Sequence, residues 1–192
     1  MKSEHTLPEG YKQIYAVDLQ KDKKIAFWIN FLGLVFMAAM CLGMNFLVPI
    51  SNLFDWSAGE QAYWIRFGSI LGLMVVYMVL HELVHGVAMK LCGTKKVKYG
   101  FTGMYAYAGS EDYYCKKAYI FIALAPVVLW GVVLAVINFF VSPQWFWVIY
   151  MIQVVNLSGA AGDVFVTAKF SQMPKDILIQ DSGVGMTVYS RQ

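Results

Sequence analysis

His81 and His85 stand four residues apart in the stretch His81-Glu82-Leu83-Val84-His85. On a helix, residues with that spacing stack on one face. Two neutral imidazoles so placed can bind one metal ion. Glu82 is turned from His81 by about 100°, so it reaches water beside the ion without being a ligand itself. This is the HExxH arrangement of zinc hydrolases, in which the metal lowers the water's pKa and the glutamate takes its proton. A catalytic zinc usually has three protein ligands and an open position, so one ligand is missing. His5 could supply it only by folding the N-terminal segment over the site. Because HExxH also arises by chance in helices, the elements that carry it must decide its standing.

Those elements read as membrane spans. Of 192 residues, 59% are hydrophobic, 16% aromatic and 14% charged, with a mean hydropathy of +0.55. A soluble domain is about a quarter charged, and here the charges are absent from long runs and crowded between them. A span needs roughly 20 apolar residues. The sequence predicts an all-α membrane protein with four transmembrane helices, at about 25–48, 63–91, 118–141 and 145–169. The run 118–162 has no charged residue. As one helix it would be about 68 Å long, twice the membrane, so it folds back at Ser142-Pro143-Gln144. The expected division is an N-terminal segment 1–24, a membrane domain 25–170 and a tail 171–192. The polar first 24 residues give no sign of a secretory leader.

Segment 1–24 holds five lysines and 90–117 six, whereas 49–63 holds none and carries Asp55 and Glu60. The positive-inside rule then puts both termini and the 93–117 loop in the cytoplasm, with a cell membrane, bacterial by expectation, as the location. Basic clusters that flank apolar runs are topology signals rather than a nucleic-acid surface. Cys41, Cys92 and Cys115 form neither a CxxC pair nor a disulfide framework.

Of twelve acidic residues, only Glu82 and Asp163 fall inside the spans. Ionisable groups at membrane depth are costly and mark function. His81 lies 17 residues after Trp64, and Asp163 lies 18 after Trp145. Both helices run inward, so the two groups share a depth in the cytoplasmic third, and Asp163 is the better third ligand. Asn156, Gly159, Ala160 and Asp163 fall on one helical face, where small residues allow close packing. Asn156 is a candidate hydrogen-bond donor to substrate or to the site. The competing reading of the buried groups is a structural polar cluster, such as a His-Asp pair.

The span-embedded His81-Glu82-Leu83-Val84-His85, with Asp163 on a later span, resembles the site-2 protease clan of intramembrane metalloproteases. It resembles more closely the small bacterial membrane family of putative zincin peptidases, which shares the lysine-rich lead-in, the HExxH in span two and a Gly-Asp pair in the last span, here Gly162-Asp163. Site-2 proteases commonly carry the aspartate in an Asp-Gly pair, often after Asn-Pro. Here Gly162 precedes Asp163, Val164 follows, and no proline is present. The resemblance implies one Zn²⁺ per chain, ligands His81, His85 and Asp163, Glu82 as general base, and cleavage of a membrane-anchored protein or peptide substrate within the bilayer.

Val97, Tyr99, Phe101, Tyr105 and Tyr107 alternate, with Gly100 and Gly103 between them. That is hairpin patterning. It reads either as an edge strand that pairs with an extended substrate or as an interfacial hairpin with its aromatics at the headgroups. Glu111 and Asp112 just beyond it are solvated. In the tail, Val184, Met186 and Val188 alternate, so a short strand and disorder both stay open. Two alternatives to a protease remain: a structural or transport metal site, and a regulatory pseudoprotease. Glu82 discriminates, because neither of those needs a base beside the ligands.

Overall fold

The computed structural model describes residues 3–18, 20–103 and 106–191. Along them run β1 (Ser3–Glu4), β2 (Tyr11–Asp18), α1 (Lys23–Asn45), a 3₁₀ turn (Ile50–Phe54), α2 (Glu60–Leu91), β3 (Lys98–Phe101), β4 (Ala106–Gly109), β5 (Tyr113–Cys115), α3 (Lys116–Phe140), α4 (Pro143–Gly159), α5 (Ala161–Ser171), β6 (Leu178–Asp181) and β7 (Gly185–Arg191). The chain is mostly helical. Four stretches are long and apolar enough to cross a membrane: Lys23–Asn45, Glu60–Leu91, Lys116–Phe140 and Pro143–Ser171.

The expectation of an all-α chain is corrected by a five-stranded antiparallel sheet, ordered β1-β5-β6-β7-β2, while β3 and β4 form the separate hairpin expected of the 93–117 loop. The sheet draws strands from three distant segments, so no single stretch displays it. In β2 the register with β7 shifts between Gln13 and Tyr15. Such a bulge breaks the period-two signal, and the strand reads as merely polar. The tail takes the strand alternative, with β6 and β7 forming a hairpin across Ser182, Gly183 and Val184.

The fourth of these apolar stretches is also not one helix. It breaks at Ala160, which sits at φ −76°, ψ 11° between α4 and α5. Asn156 and Asp163 therefore lie on separate helices rather than on one continuous face. A Cβ at Gly159 would meet nothing within 4 Å, so this glycine makes no close approach.

The chain divides into two compact units. The first comprises Met1–Ile29, Leu80–Pro126 and Gly162–Gln192; the second comprises Asn30–Val79 and Val127–Ala161. The first unit's core is built of Met89, Tyr119, Ile122 and Phe170 from the helices and Tyr114, Ile179 and Val188 from the sheet. In it α2 ends on a Schellman motif. Gly93 takes φ 104°, its N–H bonds Lys90 O at 2.9 Å, and Thr94 N–H bonds Met89 O at 3.1 Å. These bonds satisfy carbonyls that the helix end would leave orphaned. Lys116 Nζ donates to Ser171 O and Met173 O, placing a cation at the negative end of α5.

The second unit packs Leu53, Ile70, Trp147, Val148 and Val154 into one cluster and Tyr77, Leu134 and Ile152 into another. Arg66, charged and buried, donates to the carbonyls of Asn52 and Asp55. It thereby ties the 3₁₀ turn to α2.

In the first unit, β4 crosses the β6–β7 turn at Gly109. A Cβ there would meet the backbone of Ser182 and Gly183, which cannot swing aside as a side chain can. Gly109→Ala is expected to cost about 1–3 kcal/mol, the usual penalty of overpacking, read as a lower thermal unfolding midpoint in detergent. An unchanged midpoint would show that the turn yields freely.

Candidate metal centre

Three side chains of the first unit converge. His81 Nε2 lies 3.4 Å from Asp163 Oδ2, and His85 Nε2 lies 3.6 Å from Asp163 Oδ1. These separations exceed the usual N–H···O range of 2.7–3.2 Å. Two ligands each about 2.1 Å from a tetrahedral ion stand about 3.4 Å apart, which is the spacing seen. Among the described residues, this is the one group of three His, Cys, Asp or Glu side chains with ligand atoms this close, all within 4.8 Å of one another. The imidazoles are 12% exposed and the carboxylate 24%.

Each member is held by its element. His81 and His85 share a face of α2, their rings 4.9 Å apart and steeply inclined. His85 Nδ1 lies 2.9 Å from the Ile122 carbonyl of α3. A carbonyl can only accept, so Nδ1 carries a proton and Nε2 is the nitrogen left facing Asp163. Asp163 sits in the first turn of α5, where the helix dipole favours a negative charge. The donor set of two imidazole nitrogens and one carboxylate suits zinc.

Glu82 stands outside the three-residue group. The backbone N–H of Ala108 in β4 lies near its carboxylate. Tyr99 of β3 lies against Gly86, where a Cβ would collide with its ring. Tyr105 lies outside the described residues. His5 does not join the group: its Nδ1 pairs with Asp112 Oδ1 at 2.8 Å. Glu111 pairs with Lys98. Asn156 belongs to the second unit, fully buried, where Tyr77 Oη donates to its Oδ1 at 2.8 Å and its Nδ2 donates to Val127 O at 3.2 Å.

Asp181 escaped the reading of the sequence. It follows an apolar strand and precedes Ser-Gly, which looks like an ordinary solvated turn. Instead its carboxylate is buried in the first unit, taking bonds from Tyr119 Oη and from Gly183 N–H, each at 2.8 Å.

The comparisons with known proteins bear on the same stretch. Residues 74–178, over half of the chain, match the family described as Putative zincin peptidase. The chain belongs to this family. The matched stretch contains His81, Glu82, His85 and Asp163, and membership points to a metallopeptidase. A similar protein from Pyrococcus woesei, described as an uncharacterized 24.7 kDa protein in the gap 5′ region, is 28% identical over 123 residues, covering 59% of this chain and 51% of its own length. The chain thus spans about half the length of that relative. No solved structure matches.

Burial pushes the Asp181 carboxyl above its ordinary range, against the pull of its Gly183 and Tyr119 bonds. The folded state then holds this proton more tightly than the unfolded chain does. The contribution is full below the ordinary carboxylate pKa of about 4 and is lost as pH rises through the raised value. Asp181→Asn keeps an acceptor for Gly183 and removes the titration. The variant is expected to flatten the fall in stability above pH 4, measured by unfolding across pH 4–8. A slope identical to wild type would contradict the assignment.

Proposed function

We propose that this chain is a zinc-dependent intramembrane endopeptidase that hydrolyses peptide bonds near the cytoplasmic side of the membrane. The observation that carries the reading is the meeting of His81, His85 and Asp163 at ligand spacing, with Glu82 one residue along the same helix. Supporting it are the family match and the apolar side chains exposed along α1, α2 and α3, among them Leu32, Phe36, Leu71, Val75, Val132 and Val136. Such surfaces suit lipid. The site-2 protease likeness extends the reading, with Asp163 in the place of that clan's aspartate.

His81, His85 and Asp163 would hold the zinc. When bound, it supplies Lewis acidity that polarises the scissile carbonyl and makes water a better acid. Glu82 takes the proton of the attacking water and delivers it to the departing amine. The Ala108 N–H near that carboxylate would help to hold it between the two transfers. His85 Nδ1–H, bonded to Ile122, keeps its ring in the tautomer that offers Nε2.

A helical peptide bond is shielded from attack, so the substrate must be extended where it is cut. Tyr99 faces Ala108 across the β3–β4 hairpin. β4 pairs with β3 alone among the described strands, so its other edge is unpaired, and Ala108 on it lies near the base. A membrane-anchored protein or peptide substrate is proposed to pair with this edge. Asn156 enters indirectly: its carboxamide ties Tyr77, four residues before His81 on α2, to Val127 on α3.

A paired experiment separates this from a structural or transport site. Glu82→Gln is expected to keep one zinc per chain and to lose cleavage of a membrane-anchored reporter by about 10²–10⁴-fold, the usual weight of a general base. Asp163→Ala is expected to lose zinc to a chelator that leaves wild type loaded. Cleavage that survives Glu82→Gln would sink the mechanism, and full zinc in Asp163→Ala would sink the third ligand.

A further inference from the structure

α3 contains an internal proline, Pro126. Proline has no N–H to give to the carbonyl four residues earlier, and its ring crowds that carbonyl. The carbonyl in question is that of Ile122. It lies in the core of the first unit, where Ile122 is 1% exposed, so water cannot replace the missing donor. The donor it receives is His85 Nδ1, at 2.9 Å.

Two needs are met at once. A carbonyl released inside an apolar helix must be re-satisfied by a neighbour. A metal-binding histidine needs an acceptor on its other nitrogen to fix its tautomer and orientation. We propose that Pro126 is a positioning residue for the metal centre: by withholding the backbone N–H at position 126, it reserves the Ile122 carbonyl for His85. With an ordinary residue at 126, the helical bond closes from N126 to O122. The carbonyl is drawn back along the helix axis, and His85 must share it or turn. This role rests on the zinc reading of His81, His85 and Asp163, and concerns how well His85 is presented to the ion.

The test compares zinc affinity, by competition with a chromophoric chelator, in the full chain purified in detergent. Pro126→Ala restores the N–H and suits a helix better than proline does. It is expected to weaken zinc binding by about 10–100-fold, the usual effect of losing a partner of a ligand histidine, while the metal-free protein unfolds no earlier than wild type. Lactate in place of Pro126, which makes the backbone an ester there, lacks both ring and N–H. It is expected to return most of the affinity. Equal affinity in Pro126→Ala and wild type overturns the proposal, as does an ester variant as weak as the alanine one.

Should Pro126→Ala fail to fold, lactate in place of Ala123 decides. It turns the Ile122 carbonyl into an ester carbonyl, a poorer acceptor, with Pro126 intact. Weakened zinc binding supports the role, and unchanged binding overturns it. A wild-type protein that takes up no zinc would contradict the metal centre itself, a result distinct from any difference among these variants.

Discussion

A carboxylate faces two imidazole nitrogens across gaps of 3.4 and 3.6 Å, and the rest of the site is arranged around that spacing. If the groups were only a hydrogen-bonded cluster, the atoms would close to about 3 Å. The surroundings keep them apart and aimed. The Ile122 carbonyl takes the Nδ1 side of His85, so Nε2 is the nitrogen that faces Asp163. α5 begins beside Asp163, and its first turn favours the charge. Glu82 lies near the Ala108 N–H and stands outside the ligand group. Each group thus has one task, and each task follows from which atom its neighbour can offer.

The two hairpins of the first unit belong to this arrangement. β3 and β4 lie against the helix that carries the histidines, with Tyr99 over Gly86, and β4 crosses the β6–β7 turn where Gly109 permits backbone contact. The sheet of N-terminal, central and C-terminal strands therefore supports the segment that reaches Glu82. Asp181 belongs to the same turn, bonded to Gly183 N–H and to Tyr119 of α3. It lies near the side chains of His85 and Asp163.

The helices were legible in the sequence because apolar length is a local signal. The pair His81 and His85 was legible because a four-residue spacing on a helix fixes a shared face. Asp163 stood out through scarcity, as one of two acids in runs otherwise free of them. The hairpin at 98–109 showed itself by alternation. The five-stranded sheet did not, since β1, β2, β5, β6 and β7 come from three separate regions and β2 carries a bulge. The break at Ala160 was hidden because alanine is a good helix former and no glycine or proline occupies the turn itself. Asp181 was hidden because burial by distant strands leaves no mark on its own neighbours in sequence.

X-ray absorption at the zinc edge of the metal-loaded protein tests the centre most directly. Two imidazole ligands and further oxygen ligands at about 2.0–2.2 Å, with no sulfur, are the expected shell for His81, His85 and Asp163. Sulfur scattering at about 2.3 Å, or a shell without the outer signature of histidine rings, would place the metal elsewhere and contradict the account.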